Sequence, residues 1–284
     1  MVKTLLLNIV FGCLSMLVST SFAQEIERFE LPEALEEISG LKRIAKNRLV
    51  ALNDGGNKPN LYVLDFKGKL IKKVKVTDAE NKDWEDLAID DKYLYIGDFG
   101  NNENKRKKLI IYRVKIKDVL EKKEVESKKI KFSYEDQTKF PPSKKNFNYD
   151  AEGFVCDGDS LMIFTKNNTK PWNGKSSVYR ISKSPGTHIA RKSNELYVGP
   201  DGWWMDAITA ADKFNEYIYL STYNRVIIFK YAEYKFSKLN EVMFKDVSQK
   251  ESIVVLDKNY IFVADEKHRI LGGGYLIKYK LSYD

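Results

Sequence analysis

Asp83, Glu85, Asp86, Asp98, Asn101 and Asn102 crowd one short stretch, NKDWEDLAIDDKYLYIGDFGNN (81–102), around the alternating run YLYIG. Two turns do not need so many acids and amides. Oxygen-rich side chains of this kind are ligands for a hard cation, and a carboxylate near a lysine is also a usual proton acceptor in hydrolysis. The arrangement recurs along the chain. EGFVCDGDSLMIFTKNN (152–168), DAITAADKFNEYIYLSTYN (206–224) and ESIVVLDKNYIFVADEK (251–267) each begin with an acid and pass through a polar turn into a strand. SGLKRIAKNRLVALNDGGN (39–57) is a fifth copy, with Ser39 in the acid place and Glu36 and Glu37 just before it. Successive copies lie 46, 67, 54 and 45 residues apart.

The elements that would position these residues are strands. Leu94 and Ile96 alternate with Tyr95 and Gly97, and Ile218 and Leu220 with Tyr217 and Tyr219, a period of two. Each copy continues into a second β-rich run (NLYVLDF, KLIIYRVKI, SSVYRISK, RVIIFKYAE, GGYLIKYKL). The first four then carry a further strand: KLIKKVKV, KKIKFSYE, either HIAR or ELYVG, and LNEVMFK. One short helix is expected around VLEKKEVESK. Four strands per unit at this period predict an all-β fold, a β-propeller with five blades. EIERFEL (25–31) would complete the last blade and so protect its edge. A six-bladed ring, with another blade hidden in 152–206, and a β-sandwich are the rival architectures.

In a propeller the first strand of each blade lines the central channel, so Glu85, Glu152, Asp206 and Glu251 would face one another around the axis. At about 8 Å and an effective dielectric near 20, each like-charged pair costs about 2 kcal/mol. Protonation, pairing with a base, or a bound cation would relieve that repulsion. A second row holds Asn53-Asp54, Asp98 with Asn101-Asn102, Lys166 with Asn167-Asn168, Tyr223-Asn224 and Asp265-Glu266. Turn chemistry alone accounts for many Asp and Asn residues at strand ends, but glutamate is a poor turn former. Calcium is the expected cation, with Glu85, Glu152, Asp206, Glu251 and Asp98 as ligands. Zinc is disfavoured, because His188 and His268 are the only imidazoles. Asn53, Asp54, Asn101, Asn102, Tyr223 and Trp172 are the expected ligand-binding residues. Trp172 is the best candidate for an exposed stacking ring among Trp84, Trp172, Trp203 and Trp204.

Composition bounds the function. Residues 1–23 have a basic start, an apolar run and Ser-Phe-Ala before Gln24, the layout of a cleavable secretory signal. The remaining 24–284 form a single domain, exported to the periplasm or the outside, with no stable membrane insertion expected. Cys156 is then the lone thiol and reads as a core residue. The excess of lysine is scattered through turns and outer faces, so no nucleic-acid partner is expected. A monomer with a small-molecule, phosphoester or glycan ligand is. There is no GxSxG, HExxH or P-loop.

EISGL, LNDGGN, DWEDLAIDDKYLYIGDFGNN, YDAEGF, DAIT and ESIVV together resemble a family of exported bacterial β-propeller proteins over nearly the whole mature chain. More distantly, the acid-x-apolar turn followed by an LYIG-like strand is similar to calcium-dependent propeller phytases and to gluconolactonase–paraoxonase propellers. That resemblance implies an axial metal and ester or phosphoester hydrolysis, although no complete set of phytase phosphate ligands matches. Two functions follow as expectations. One is a metal-binding propeller that holds a ligand without chemistry. The other is a metal-dependent hydrolase acting on phosphoesters, esters or lactones, with Glu85 or Glu152 as base and Lys166 stabilising negative charge. A metal-free glycosidase with paired carboxylates is a variant of the second.

Overall fold

The computed structural model describes residues 21–282. The expected secretory signal lies outside them except for its last three residues. Ser21–Phe22 runs parallel to Val242–Met243, and Ala23 is fully buried. Among the described residues no helix is long and apolar enough to cross a membrane.

Over the described residues the chain is mostly β and of propeller type, in four hydrogen-bonded sheets. The first is an antiparallel meander of Ile38–Ala45, Arg48–Asn53, Asn60–Leu64 and Leu70–Val76, with Glu124–Val125 added at its outer edge. The eight-stranded sheet is two such meanders. Trp84–Ile89, Tyr93–Asp98, Leu109–Lys115 and Lys128–Tyr134 make one; Asp150–Asp157, Ser160–Lys166, Lys175–Ser182 and Gly186–Tyr197 make the other. Their outermost strands pair in parallel from Ile130↔Gly186 to Tyr134↔Ala190. Ala210–Phe214, Tyr217–Ser221, Arg225–Ala232 and Lys235–Met243 form the next. Lys250–Val255, Tyr260–Asp265 and Tyr275–Lys280 form the last, completed by the N-terminal Gln24–Glu30, as EIERFEL predicts.

Two local expectations change. HIAR and the first three residues of ELYVG are not alternatives but parts of one long strand, Gly186–Tyr197. The helix near VLEKKEVESK is a short one, Ile116–Glu121, because Glu124–Val125 is drawn into sheet pairing.

The hydrophobic pattern explains the stacking. Leu94 and Ile96 pack with Val50, Val63 and Trp84 toward the preceding meander, whereas Tyr95 packs with Phe154 and Tyr179 toward the following one. Middle strands are therefore apolar on both faces, and each fully buried Leu or Ile contributes about 1.5–3 kcal/mol. The first strands pack in a closed cycle: Ile38–Ala45 on Trp84–Ile89, then Asp150–Asp157, Ala210–Phe214, Lys250–Val255, and back to Ile38–Ala45.

A polar knot sits where those strands meet. The buried Lys42 ammonium donates to Ala211 O (2.8 Å) and Ile253 O (3.3 Å), with Asp212 at 3.5 Å and Asp86 at 3.7 Å. Asp86 Oδ2 in turn accepts from the backbone N–H of Phe154 (3.3 Å) and Ala211 (3.4 Å). All five first strands thus contribute to one network.

Candidate functional site

The acid row is set by irregular pairing. Partners step from Ala151↔Thr165 to Gly153↔Phe164 and from Lys250↔Asp265 to Ser252↔Ala264, leaving Glu152 and Glu251 as the extra residues of β-bulges. Ser39 is skipped in the same way, and the shift in Trp84–Ile89 falls at Glu85–Asp86. A bulge turns its extra residue out of the regular alternation and re-aims the side chain. Glu85, Glu152 and Glu251 are buried and act on one another electrostatically, Glu85 with Glu152 and Glu152 with Glu251. Three of the four expected acids therefore converge.

Asp206 does not join them. It ends a helical turn, Trp203–Asp206, where its Oδ1 accepts from Arg225 Nη2 at 2.6 Å and its Oδ2 accepts from the Asp201 backbone N–H. That turn is inserted ahead of the fourth first strand, which begins at Ala210 and pairs without a bulge, Ala210↔Ser221 then Ala211↔Leu220. The place of the acid passes to Thr209-Ala210, and Thr209 Oγ1 donates to Lys250 O at 2.5 Å. Asp98 is also engaged elsewhere: fully buried, it accepts from Arg106 Nη2 at 2.7 Å. The carboxylates that lie beside Glu85 are instead Asp83, to which the sequence assigns no role, and Asp54. Asp54, Asp83 and Glu85 each bring a carboxylate oxygen within 4.8 Å of the others. A β-carbon at residue 100 would collide with Glu85 Oε1 and crowd Asp83, and one at residue 55 would crowd Asp83 Oδ1. The glycines of GDFGNN and NDGGN make room for the trio.

Electrostatics around the trio follow from burial and like charge. Desolvation, opposed in part by the Gly55 N–H and reinforced by Asp83 and Glu251, pushes Asp54 up to about 6. Desolvation, then Glu152, Asp54 and Asp83, raises Glu85 well above the usual range. Burial also brings Asp150 and Glu266 to about 7 and raises Glu152 strongly. The counter-charge is Lys166. Burial opposes its charge, but Glu152, then Glu251, hold its pKa well above that of an ordinary lysine. Its Nζ lies 3.2 Å from Glu152 Oε1 and 3.4 Å from Tyr223 Oη, and Tyr223 Oη donates to Glu251 Oε1 at 2.8 Å. Glu251 Oε2 and Asn53 Oδ1 are buried without a hydrogen-bond partner among the described residues.

The remaining expected ligand-binding residues divide. Tyr223 belongs to the site. So does Asp54, as one of the trio, while Asn53 borders it, its amide donating to Ala34 O at 3.0 Å. Asn101 is a turn residue, its N–H donating to Asp150 Oδ1 (2.6 Å) and its Oδ1 accepting from Arg106 N (2.8 Å); Asn102 is exposed. Trp172 is not the exposed ring expected. It packs on the Val198–Phe229 core cluster and donates from Nε1 to Gly199 O at 2.9 Å, because the polar loop around it folds back. Trp84 is fully buried, as a packing tryptophan would be. The aromatic wall is Trp203, Trp204 and Tyr223, with centroids 4.9–6.1 Å apart and Lys166 Nζ 5.3 Å from the Trp203 centroid. Desolvation pushes the Cys156 thiol up to about 12, which keeps it protonated and unreactive near neutral pH.

No protein-family model and no curated protein sequence matches the chain. Solved structures do, as folds. Glutaminyl cyclase from Myxococcus xanthus is 11% identical with a TM-score of 0.56, covering 92% of this chain and 98% of that one. The PQQ-bound aldose sugar dehydrogenase from Streptomyces coelicolor is 8% identical with a TM-score of 0.50, again over 92% and 98%. Both are propeller-type folds, and at such identities what this chain shares with them is the architecture.

Proposed function

We propose that the chain is an exported five-bladed propeller whose axial site binds calcium through Asp54, Asp83 and Glu85 and holds a small organic ligand beside it. The cyclic packing of the first strands supports the blade count, and the leader-like N-terminal sequence supports export. The observation that carries the cation is the trio itself: three carboxylates within 4.8 Å whose one ion-pair partner among the described residues is Arg106, 3.9 Å from Asp83. An all-oxygen donor set of this kind suits calcium. The ion, when bound, would offset the desolvation, and the lesser mutual repulsion, that raise these carboxyls. A second reading, hydrolysis of an ester, lactone or phosphoester, rests on Glu152: a buried carboxyl of raised pKa beside an ammonium is built for proton transfer next to developing negative charge.

The test is a thermal melt with calcium and with chelator. A hundredfold excess over Kd stabilises by about 2.7 kcal/mol, roughly 5–10 °C in a chain of this size. Asp83→Asn and Glu85→Gln should abolish the shift. An identical melting temperature in calcium and chelator would remove the cation from the proposal. Turnover of a phosphoester, ester or lactone that Glu152→Gln eliminates would establish the hydrolase reading.

A further inference from the structure

Resting on the reading of the axial end as a ligand site, we infer that its organic ligand is an uncharged sugar, its ring laid on Trp204 and its hydroxyls donating to Glu251. Three observations choose this class. First, Glu251 is 92% buried, and while Oε1 accepts from Tyr223, Oε2 has no partner among the described residues. A buried lone acceptor costs stability until a donor reaches it. The ligand must therefore bring donors, which hydroxyls do and a phosphate, with its acceptor oxygens and double charge, does not. Second, the carboxyls described above face one buried ammonium, Lys166, already engaged by Glu152 and Tyr223, with Arg106 at the margin. Among the described residues no side-chain cation of the site is left over to pair with a phosphoester's charge. Third, Lys166 already sits over the Trp203 and Tyr223 rings, where a cationic amine would go. Trp204, in contact with Tyr223 (4.9 Å), is 39% exposed and offers an open aromatic face to the C–H side of a neutral ring.

The geometry also gives Asp206 a role. Its ion pair with Arg225, which donates to Met205 O (3.3 Å) and Val198 O (2.5 Å), pins the turn that carries both tryptophans. Asp206 is a positioning residue for the wall.

The experiment titrates the full chain with neutral gluco-, xylo-, manno- and chito-oligosaccharides, with sugar 6-phosphates and with amino sugars. Tryptophan emission and calorimetry report binding, and the calcium melt is run on the same samples. A neutral sugar should bind and change the emission, and its 6-phosphate should bind at least about tenfold more weakly. Trp204→Ala and Glu251→Gln should each weaken binding about tenfold or more, with the calcium shift retained in Trp204→Ala. Sugar binding without a calcium shift supports this inference while removing the metal. A calcium shift with no neutral sugar bound overturns it and leaves the metal reading intact. Tighter binding of the phosphate or the amine, or no effect of either variant on a bound sugar, also overturns it.

Discussion

Asp150 and Glu266 are raised to about 7, by burial first and then by neighbouring carboxylates, whereas such groups titrate near about 4 in an unfolded chain. Between those values the folded protein keeps protons that the unfolded chain has released. Stability is therefore fully present below the unfolded pKa and is lost as pH rises through the folded one. The melting temperature of chelator-treated protein should fall from about pH 4 to about pH 7 and level off above, and Asp150→Asn should flatten the fall. A rise over that window would contradict the crowding. Asp150 Oδ1 accepts from the Asn101 N–H, a bond that an asparagine oxygen can still accept, so the variant isolates the charge.

The helical turn Trp203–Asp206 shows what the sequence hides at the level of elements. Alternation in Leu94-Ile96 and Ile218-Leu220 made the strands legible, and the repeated acid marked three of the axial positions. The bulges at Glu152 and Glu251 were not legible, because a one-residue slip leaves no compositional trace. The fourth copy misled because Asp206 precedes its strand at a believable distance, yet Arg225, the first residue of Arg225–Ala232, claims its carboxylate. Asp83 stands out in the sequence as an acid but without a role, because it lies just ahead of its strand, Trp84–Ile89, and only the folded chain, with Gly55 and Gly100 leaving room, brings it to Asp54 and Glu85. Asp206→Ala should cost about 2–3 kcal/mol in urea denaturation, below the cost of fully orphaning a buried arginine, because Arg225 keeps Glu241 at 3.2 Å. A neutral result would mean that the turn is held by its tryptophans instead.

At the scale of the whole molecule, the bonds of Lys42 and Asp86 together span the meeting point of the first strands. The Lys42 ammonium and Asp86 pull on backbone groups from Asp150–Asp157, Ala210–Phe214 and Lys250–Val255. The lysine is unremarkable in SGLKRIAK, since only ring closure brings its partners near. Lys42→Met should destabilise by about 3–5 kcal/mol by stranding Asp86, and adding Asp86→Asn should recover part of the loss. Equal stability of all three proteins in denaturant titration would reduce the knot to a bystander.

Gln24–Glu30 finds its partner in Tyr275–Lys280, with Glu27 and its neighbour Lys278 separated by 251 positions in sequence. A nascent chain must therefore hold Gln24–Glu30 unmatched until Tyr275–Lys280 has been synthesised. Pairing over such sequence separation is slow to form, and the waiting edge is open to strands of other molecules. Handling by chaperones during biogenesis, more than stability once finished, is where this topology makes its demand.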